Sequence, residues 1–222
     1  FEDLGPGSKI ADLTINAIYP EKIKKKNQFF GHKYFLIRDE FLYTNKISIK
    51  PKVNRVLISF GGVDPNNYTK KVLSSIYTDC LKNNIKITVV TGFGYKAYDT
   101  ISSFRNIEIC KDVQNISDFM KRTDLAFTSA GRTIYEFASL NVPTIVLAQN
   151  KRELSHFFAN SKYGFINLGL GTSIKNNKIR EIFLKIYKNN EKRKKMSQLM
   201  SKYDFNSGRR NVLSLIKQII DV

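Results

Sequence analysis

The chain has 222 residues, of which 42% are hydrophobic and 25% charged, as in ordinary globular proteins. This composition excludes a largely disordered chain, and no apolar run approaches the roughly 18 residues that a membrane-spanning helix needs. Lys and Arg number 37 against 19 Asp and Glu, so the formal net charge is +18, which directs attention to anionic partners. With only two cysteines, Cys80 and Cys110, we expect no disulfide scaffold and a cytoplasmic location.

The sequence starts at Phe1 with FEDLGPGSK, which is typical of a strand end followed by a loop. We therefore expect a piece of a longer protein, whose catalytic residue could lie outside this sequence. Residues 11–18 and 34–37 are predicted strands, and the lysine run at 24–26 is predicted to be a solvated loop. Residues 42–52 are polar, end in Lys-Pro-Lys, and are predicted to be a linker.

From Val53 onward, short apolar strands alternate with segments of helical periodicity. The predicted strands cover residues 53–60, 85–91, 107–110, 124–128, 144–148 and 164–168. The predicted helices cover residues 68–82, 95–104, 116–122, 133–140 and 153–161, with two or three more between 174 and 220. This alternation predicts an α/β fold with a Rossmann-like parallel sheet covered by helices on both faces. Such sheets bind ligands at the carboxyl ends of their strands.

The strongest local motif is FTSAGRTIYEFASLNVPTIV at residues 127–146, where a predicted strand turns through small residues into a helix. Free amides at a helix start bind phosphate, and a carboxylate one turn later can accept hydrogen bonds from ribose hydroxyls. The nucleotide-binding candidates are Ser129, Gly131, Arg132, Thr133 and Glu136. The alternative stays open that Ser129 only caps the helix, Glu136 only favours its first turn, and Arg132 points to solvent.

A second motif, SFGGVDP, places Gly61 and Gly62 directly after a predicted strand, with Asp64 two residues later. The glycines could let a phosphate or a sugar approach the backbone. The alternative is a tight turn in which Asp64 or Asn67 caps the next helix. The motif is neither a Walker loop nor the dinucleotide fingerprint.

A third motif, LAQNKRELSHFF, places Asn150 after a buried strand and Glu153 and His156 on what is predicted to be one helix face. These polar groups could bind a sugar, or they could form a capping pattern around a structural histidine. No metal-ligand spacing is present, so we expect neither a metal nor a cofactor.

Together, SFGGVDP, TSAGRTIYEFASLNVP and AQNKRELSHFF resemble the carboxyl-terminal domain of GT-B nucleotide-sugar enzymes. The sequence is similar to the UDP-sugar hydrolases of pseudaminic acid biosynthesis and to spore-coat polysaccharide glycosyltransferase-like proteins. The peptidoglycan N-acetylglucosaminyltransferase is a more distant likeness. GHKYFLIRDEF resembles the segment that joins the two halves of the hydrolases, and GFINLGLG resembles their carboxyl-terminal end. The resemblance covers roughly residues 10–205.

The resemblance implies half of a UDP-sugar hydrolase or glycosyltransferase acting in nonulosonic acid or surface polysaccharide biosynthesis. It assigns residues 1–50 to the end of an amino-terminal domain with its linker, and 51–222 to the nucleotide-sugar-binding domain. The implied roles are diphosphate binding by Ser129, Gly131 and Thr133, ribose binding by Glu136, and sugar binding by Gly61, Gly62, Asp64, Asn150 and Glu153. At Arg132 many relatives have a small residue. The hydrolases carry their proposed catalytic histidine in the amino-terminal half, so no catalytic residue is assigned here.

Three alternatives remain. In some bacteria and archaea similar modules follow a sialic-acid-type cytidylyltransferase, so the chain could be a non-catalytic domain of a bifunctional CMP-sialic-acid-synthetase-like protein. The charge of +18 could indicate a nucleic-acid-binding module, although the lysines are scattered and the aromatic residues lie in apolar segments. The basic helices after residue 174 could also contact an anionic membrane surface. The positive charge would also fit the interpretation as a nucleotide-sugar-binding domain, because a positive field attracts an anionic sugar nucleotide.

Overall fold

The computed structural model describes residues 1–20 and 26–220. In its amino-terminal part the elements are α1 (Gly7–Ile10), β1 (Thr14–Asn16), β2 (Gln28–Phe30) and α2 (Asp39–Leu42). The central part contains β3 (Arg55–Ser59), α3 (Tyr68–Lys82), β4 (Lys86–Thr91), β5 (Ile107–Lys111), α4 (Ser117–Met120), β6 (Leu125–Thr128), α5 (Thr133–Ser139) and β7 (Thr144–Ala148). The last elements are β8 (Phe165–Leu170), α6 (Asn176–Tyr187), α7 (Asn190–Met200) and α8 (Gly208–Ile220).

Six strands form one sheet in the order β5-β4-β3-β6-β7-β8, and every neighbouring pair is parallel. The predicted α/β fold with a parallel sheet is therefore confirmed. The chain builds outward from β3 to β5 and then returns to place β6 on the other side of β3. The order of strands thus reverses between β3 and β6, which is where sheets of this kind bind ligands.

Helices and loops cover both faces of the sheet because side chains alternate in direction along each strand. Val56 and Ile58 of β3 belong to the apolar cluster that contains α3 and α6 residues. Leu57, between them, belongs to the cluster on the other face, which contains α5. Burial of apolar side chains on both faces is the main stabilising contribution to such a sheet.

Parts of residues 1–50 pack into the same core as the sheet. The ring of Phe35 stacks on the ring of Tyr135 in α5 with a centroid distance of 4.1 Å, and Phe158 stacks on the other side at 4.7 Å. Helix α8 begins against this segment, since a Cβ added at Gly208 would overlap the carbonyl oxygen of Phe35. The aromatic residues of these segments are therefore largely core residues, as their apolar surroundings predicted.

Several local predictions fail. Residues 34–37 form no strand: a short 3-10 turn covers His32–Tyr34, and the small amino-terminal sheet pairs β1 with β2 instead. The predicted helix at 95–104 is reduced to a 3-10 turn at Tyr98–Thr100. Lys24 and Lys25 of the predicted solvated loop lie outside the described residues.

The predicted helix at 153–161 is also wrong, because contacts with distant backbone interrupt it. A 3-10 turn covers Glu153–Ser155, and His156 is already extended with φ −74° and ψ 123°. The His156 ring forms a hydrogen bond with the carbonyl oxygen of Ala130, and the backbone N–H of Phe157 donates to the carbonyl oxygen of Ile18. Glu153 and His156 therefore do not share a helix face.

Between residues 174 and 220, all of which the structure describes, there are three helices, α6 to α8, in agreement with the prediction of two or three. In the part of the chain that the structure describes, no helix combines the length and the apolar character needed to cross a membrane.

Arg193 of α7 is a buried cation whose guanidinium donates hydrogen bonds to backbone carbonyl oxygens and forms no salt bridge with a carboxylate of the described residues. Its guanidinium donates to the carbonyl oxygens of Ile186 and Tyr187 at 2.8 and 2.7 Å, at the end of α6. It also donates to those of Lys50 and Pro51 at 3.1 and 2.7 Å. Burial lowers the pKa of Arg193 from its ordinary value. One side chain thus fastens the segment before β3 to the last turn of α6, where a positive charge also complements the helix dipole.

We expect Arg193→Met to lower the free energy of unfolding by about 3 kcal/mol, because four carbonyl oxygens lose their donor at a buried site. Denaturant unfolding followed by circular dichroism would measure the change. Lys195→Met, on the exposed side of the same helix, is the matched control and should stay close to the wild type. Equal stability of the Arg193→Met and Lys195→Met variants would contradict this role.

Candidate functional site

A cavity of about 240 Å³ lies at the carboxyl ends of the central strands, beside the reversal of strand order. Its walls come from the loops after β3, β4 and β5, from the start of α5, and from the segment before α2. The lining residues include Arg38, Ser59, Gly61, Gly62, Gly92, Asp112, Thr133 and Glu136. Four predicted site residues, Gly61, Gly62, Thr133 and Glu136, therefore meet in one cavity.

A larger cavity of about 440 Å³ lies beside the amino-terminal segment and is lined by residues such as Gly5, Lys9 and Tyr19. It contains none of the predicted site residues. We place the candidate site in the smaller cavity because it lies where parallel α/β sheets bind ligands.

The two glycines after β3 leave backbone open to the cavity. Gly61 has a φ of +80°, which favours glycine, and a Cβ added at Gly61 or Gly62 would meet no atom within 4 Å. Behind them the loop after β4 packs closely, since a Cβ at Gly92 would overlap the Cα of Gly62. A ligand can therefore approach the Gly61–Gly62 backbone from the cavity side.

Asp64 is buried and points away from solvent. Its Oδ1 and Oδ2 accept the backbone N–H groups of Tyr68 and Thr69 at 2.9 and 2.8 Å, at the start of α3. Gln149, which follows β7, donates its Nε2 to Asp64 Oδ1 at 2.8 Å. Asp64 thus helps to cap α3, whose N-cap residue is Asn67, and Asp64 is not among the residues that line the cavity. Its assignment to the sugar side stays a prediction.

The turn from β6 into α5 is held by a carboxylate of the chain itself. Glu153 Oε2 accepts the backbone N–H of Ala130 at 3.0 Å and that of Gln149 at 2.8 Å. Gly131 lies against this carboxylate, since an added Cβ would come 3.4 Å from Glu153 Oε1. Ser129 is buried beside it. One amide of the predicted phosphate-binding turn is therefore already satisfied, and Thr133 is the residue of this turn that lines the cavity.

Arg132, also predicted to bind nucleotide, contacts other partners. Its Nη1 lies 3.6 Å from Glu2 Oε1, and its guanidinium sits over the Phe35 ring at 4.8 Å. The side chain is 53% exposed and does not line the cavity. Its nucleotide contact stays a prediction.

Glu136 is 8% exposed and lies on the cavity wall in the first turn of α5. Its Oε1 accepts a hydrogen bond from Arg38 Nε at 2.8 Å, whereas Oε2 makes no hydrogen bond to the described residues. Burial raises the pKa of Glu136, although the hydrogen bond and the charge of Arg38 act against this. A buried carboxylate with a free oxygen facing an open cavity is suited to accepting hydrogen bonds from vicinal hydroxyls.

Arg38 is a site residue that the sequence reasoning missed. Its partner Glu136 lies 98 residues later, so no local pattern connects them. The available signal was the segment GHKYFLIRDEF, which resembles an interdomain segment and contains a single arginine followed by two acidic residues.

Asn150 and His156 lie outside the cavity. Asn150 is exposed, and its Oδ1 accepts the backbone N–H of Glu153 at 3.0 Å, as a capping residue does. His156 is buried, and its Nδ1 lies 2.7 Å from the carbonyl oxygen of Ala130. Nδ1 therefore carries the hydrogen, and Nε2 has no partner among the described residues. Burial lowers the pKa of His156, which favours the neutral ring.

Comparison with known proteins agrees with this architecture. The chain is 32% identical over 170 residues to an uncharacterized protein of Methanocaldococcus jannaschii, covering 68% of this chain and 35% of that protein. It is 22% identical over 182 residues to the spore coat polysaccharide biosynthesis protein SpsG of Bacillus subtilis, covering 77% and 54%. The chain thus spans about a third and about half of the lengths of these two relatives.

Two solved structures share the fold. The glycotransferase of kitacinnamycin superposes with a TM-score of 0.65 at 14% identity, covering 97% of this chain and 57% of that one. The UDP-GlcNAc 2-epimerase from Neisseria meningitidis, solved bound to UDP-GlcNAc, superposes with a TM-score of 0.56 at 18% identity, covering 76% and 46%. The α/β fold is therefore GT-B-like.

Residues 56–216, which include the whole six-stranded sheet except the first residue of β3, match the glycosyltransferase family 28 C-terminal domain. The chain belongs to this family.

Proposed function

We propose that the chain binds the nucleotide part of a UDP-sugar in the 240 Å³ cavity, with the ribose on Glu136. The observation that carries the proposal is the buried Glu136 carboxylate on the cavity wall, held by Arg38 through one oxygen and free at the other. A ribose offers two adjacent hydroxyls, and an ionised carboxylate accepts both. The Neisseria epimerase of the same fold was solved with UDP-GlcNAc, which supports a uridine nucleotide.

The diphosphate is proposed to lie between the start of α5 and the Gly61–Gly62 backbone. Thr133 lines the cavity at the helix start, where backbone N–H groups and the helix dipole favour negative charge. The open faces of the two glycines allow the phosphates to come close to the main chain. Asp64, Glu153 and His156 support the neighbouring loops through their hydrogen bonds to backbone. Asn150 caps the turn that begins at Glu153.

In a longer protein, the chain is proposed to form half of a cytoplasmic UDP-sugar hydrolase or glycosyltransferase. Residues 1–50 would end the amino-terminal domain and link it to the nucleotide-sugar-binding domain at 51–222. The relative SpsG is named for spore coat polysaccharide biosynthesis, which supports a role in nonulosonic acid or surface polysaccharide biosynthesis. The amino-terminal half would then supply the catalytic residue.

Glu136→Ala should weaken UDP binding about tenfold to hundredfold, because the ribose hydroxyls lose a charged acceptor at a buried site. Isothermal titration calorimetry with UDP measures the change. Glu191→Ala, which removes an exposed carboxylate of α7 far along the chain, is the control and should leave the affinity unaltered. An affinity that survives Glu136→Ala would overturn the ribose assignment.

The raised pKa of Glu136 gives the binding a pH dependence. Lowering the pH from about 7.5 to about 5 protonates more of Glu136 than of an ordinary glutamate, and the protonated form loses an acceptor for ribose. The affinity for UDP-N-acetylglucosamine, whose doubly esterified diphosphate does not titrate in this range, should therefore fall as the pH falls. Glu136→Gln should bind with a flat profile, and identical profiles for both proteins would speak against the assignment.

A further inference from the structure

A cavity of about 340 Å³ lies between the start of β8 and helix α7, and we call it the lysine cavity. Among the described residues, its lining includes three lysines, Lys162, Lys192 and Lys195, and no acidic side chain. Strand β8 is parallel to its neighbour and six residues long, about 20 Å, so its start lies at the opposite edge of the sheet from the 240 Å³ cavity. The described lining residues of the two cavities do not overlap.

The three lysines come from two elements that meet at the cavity. Lys162 lies in the 3-10 turn Ser161–Tyr163 before β8, whereas Lys192 and Lys195 lie in α7. Residues three apart on a helix are neighbours on one face, so Lys192 and Lys195 place like charges side by side. This repulsion is unfavourable in the free chain, and an anion bound between the ammonium groups would replace it with attraction.

The acidic residues of α6 and α7 are paired with other lysines. Glu191 Oε1 lies 2.9 Å from Lys194 Nζ, and Glu181 Oε2 lies 3.0 Å from Lys178 Nζ. Within the part of the chain that the structure describes, the ammonium groups of the three cavity lysines form neither a salt bridge nor a hydrogen bond. Their N–H donors are therefore available to a ligand.

The two walls of the lysine cavity are fixed against each other. Gly164 follows the 3-10 turn with a φ of +94°, and a Cβ added there would come 2.3 Å from the carbonyl oxygen of Met196 in α7. The Asn160 side chain accepts the backbone N–H of Lys162 at 3.0 Å and so caps the turn. The backbone that carries the lysines is thus in place before a ligand arrives, which lowers the entropy cost of binding.

The rest of the lining is largely apolar. Phe165 and Met196 are 1% and 3% exposed, and Leu199 lines the cavity beside them. Cations next to an apolar surface suit a ligand that has an anionic group on a small carbon skeleton, and 340 Å³ is within the range of small-molecule sites. A phosphate monoester carries close to two negative charges at neutral pH and has three acceptor oxygens, which matches several ammonium groups.

We propose that the lysine cavity binds a phosphate monoester of a small organic molecule, such as a sugar phosphate. Lys162, Lys192 and Lys195 hold the phosphate group, and the carbon skeleton lies against Phe165 and Met196. This site is separate from the 240 Å³ cavity and does not depend on the function proposed for it.

The test titrates the ¹⁵N-labelled chain with glucose 6-phosphate at constant ionic strength and about pH 7.5, where the phosphate is doubly charged. The amide signals of Gly164 and Ile166, which line the lysine cavity, should shift progressively and saturate with a Kd of about 1 mM or tighter. Glucose, which has no phosphate, should leave both signals stationary. Inorganic phosphate, which has no carbon skeleton, should bind several-fold more weakly.

Two variants remove one ammonium group from each wall. Lys162→Met and Lys195→Met should each weaken glucose 6-phosphate binding about tenfold, because the phosphate loses a charged donor. Lys194→Met is the charge-matched control on the same helix, since Lys194 pairs with Glu191, and it should bind like the wild type. The amide spectra show whether each variant is folded, and either variant alone tests the site if the other is unstable.

Three results would overturn the inference. The first is the absence of a saturable shift at Gly164 and Ile166, including the case in which only Gly61 and Gly62 of the other cavity shift. The second is equal weakening by Lys194→Met and Lys195→Met, which would show a general attraction of anions. The third is equal affinity for inorganic phosphate and glucose 6-phosphate, which would rule out recognition of an organic phosphate. The UDP titrations test the proposed function separately.

Discussion

The carboxylate of Glu153 connects the carboxyl ends of two neighbouring strands of the sheet, beside the candidate site. By accepting the N–H groups of Ala130 and Gln149, it joins the ends of β6 and β7. Gln149 continues the connection to Asp64 in the loop after β3. The strand ends on both sides of the reversal point are therefore fixed by charge-assisted hydrogen bonds, partly buried at Glu153 and buried at Asp64, and such bonds are among the stronger contacts available to a protein. Because each carboxylate is matched to backbone or amide donors, the cost of burying it is offset.

The polar residues at the carboxyl ends of the strands fall into two sets with different roles. Asp64, Glu153 and His156 bond to the chain itself and shape the loops. Glu136 and Arg38 face the cavity and keep unused hydrogen-bonding capacity. The net charge of +18 is spread over the chain, and among the described residues Arg38 is the one cation that lines the cavity. The excess of lysine and arginine therefore contributes a general attraction for anions, whereas recognition would depend on the paired groups at the cavity.

Sequence patterns predicted those features that local chemistry determines. The helix at 68–82 and the strand at 144–148 were predicted to the residue, because helical spacing and an unbroken apolar run each point to one structure. The helix predicted at 153–161 does not form, because His156 and Phe157 bond to backbone that is distant in sequence. Arg38 was missed for the same reason: its partner, Glu136, is 98 residues away, and local sequence patterns do not reveal such distant contacts. For Asp64 the motif left helix capping and ligand binding open, and only the contacts with Tyr68 and Thr69 show the cap.

The most direct test of the account locates a bound nucleotide by the backbone amide signals of glycines. Gly61, Gly62 and Gly92 line the 240 Å³ cavity, whereas Gly5 lines the 440 Å³ cavity near the amino terminus. In a titration of the ¹⁵N-labelled chain with UDP, the account predicts progressive, saturable shifts of the first three amide signals and a stationary Gly5. Shifts confined to Gly5 and its neighbours, or no saturable shift at the three cavity glycines, would contradict it.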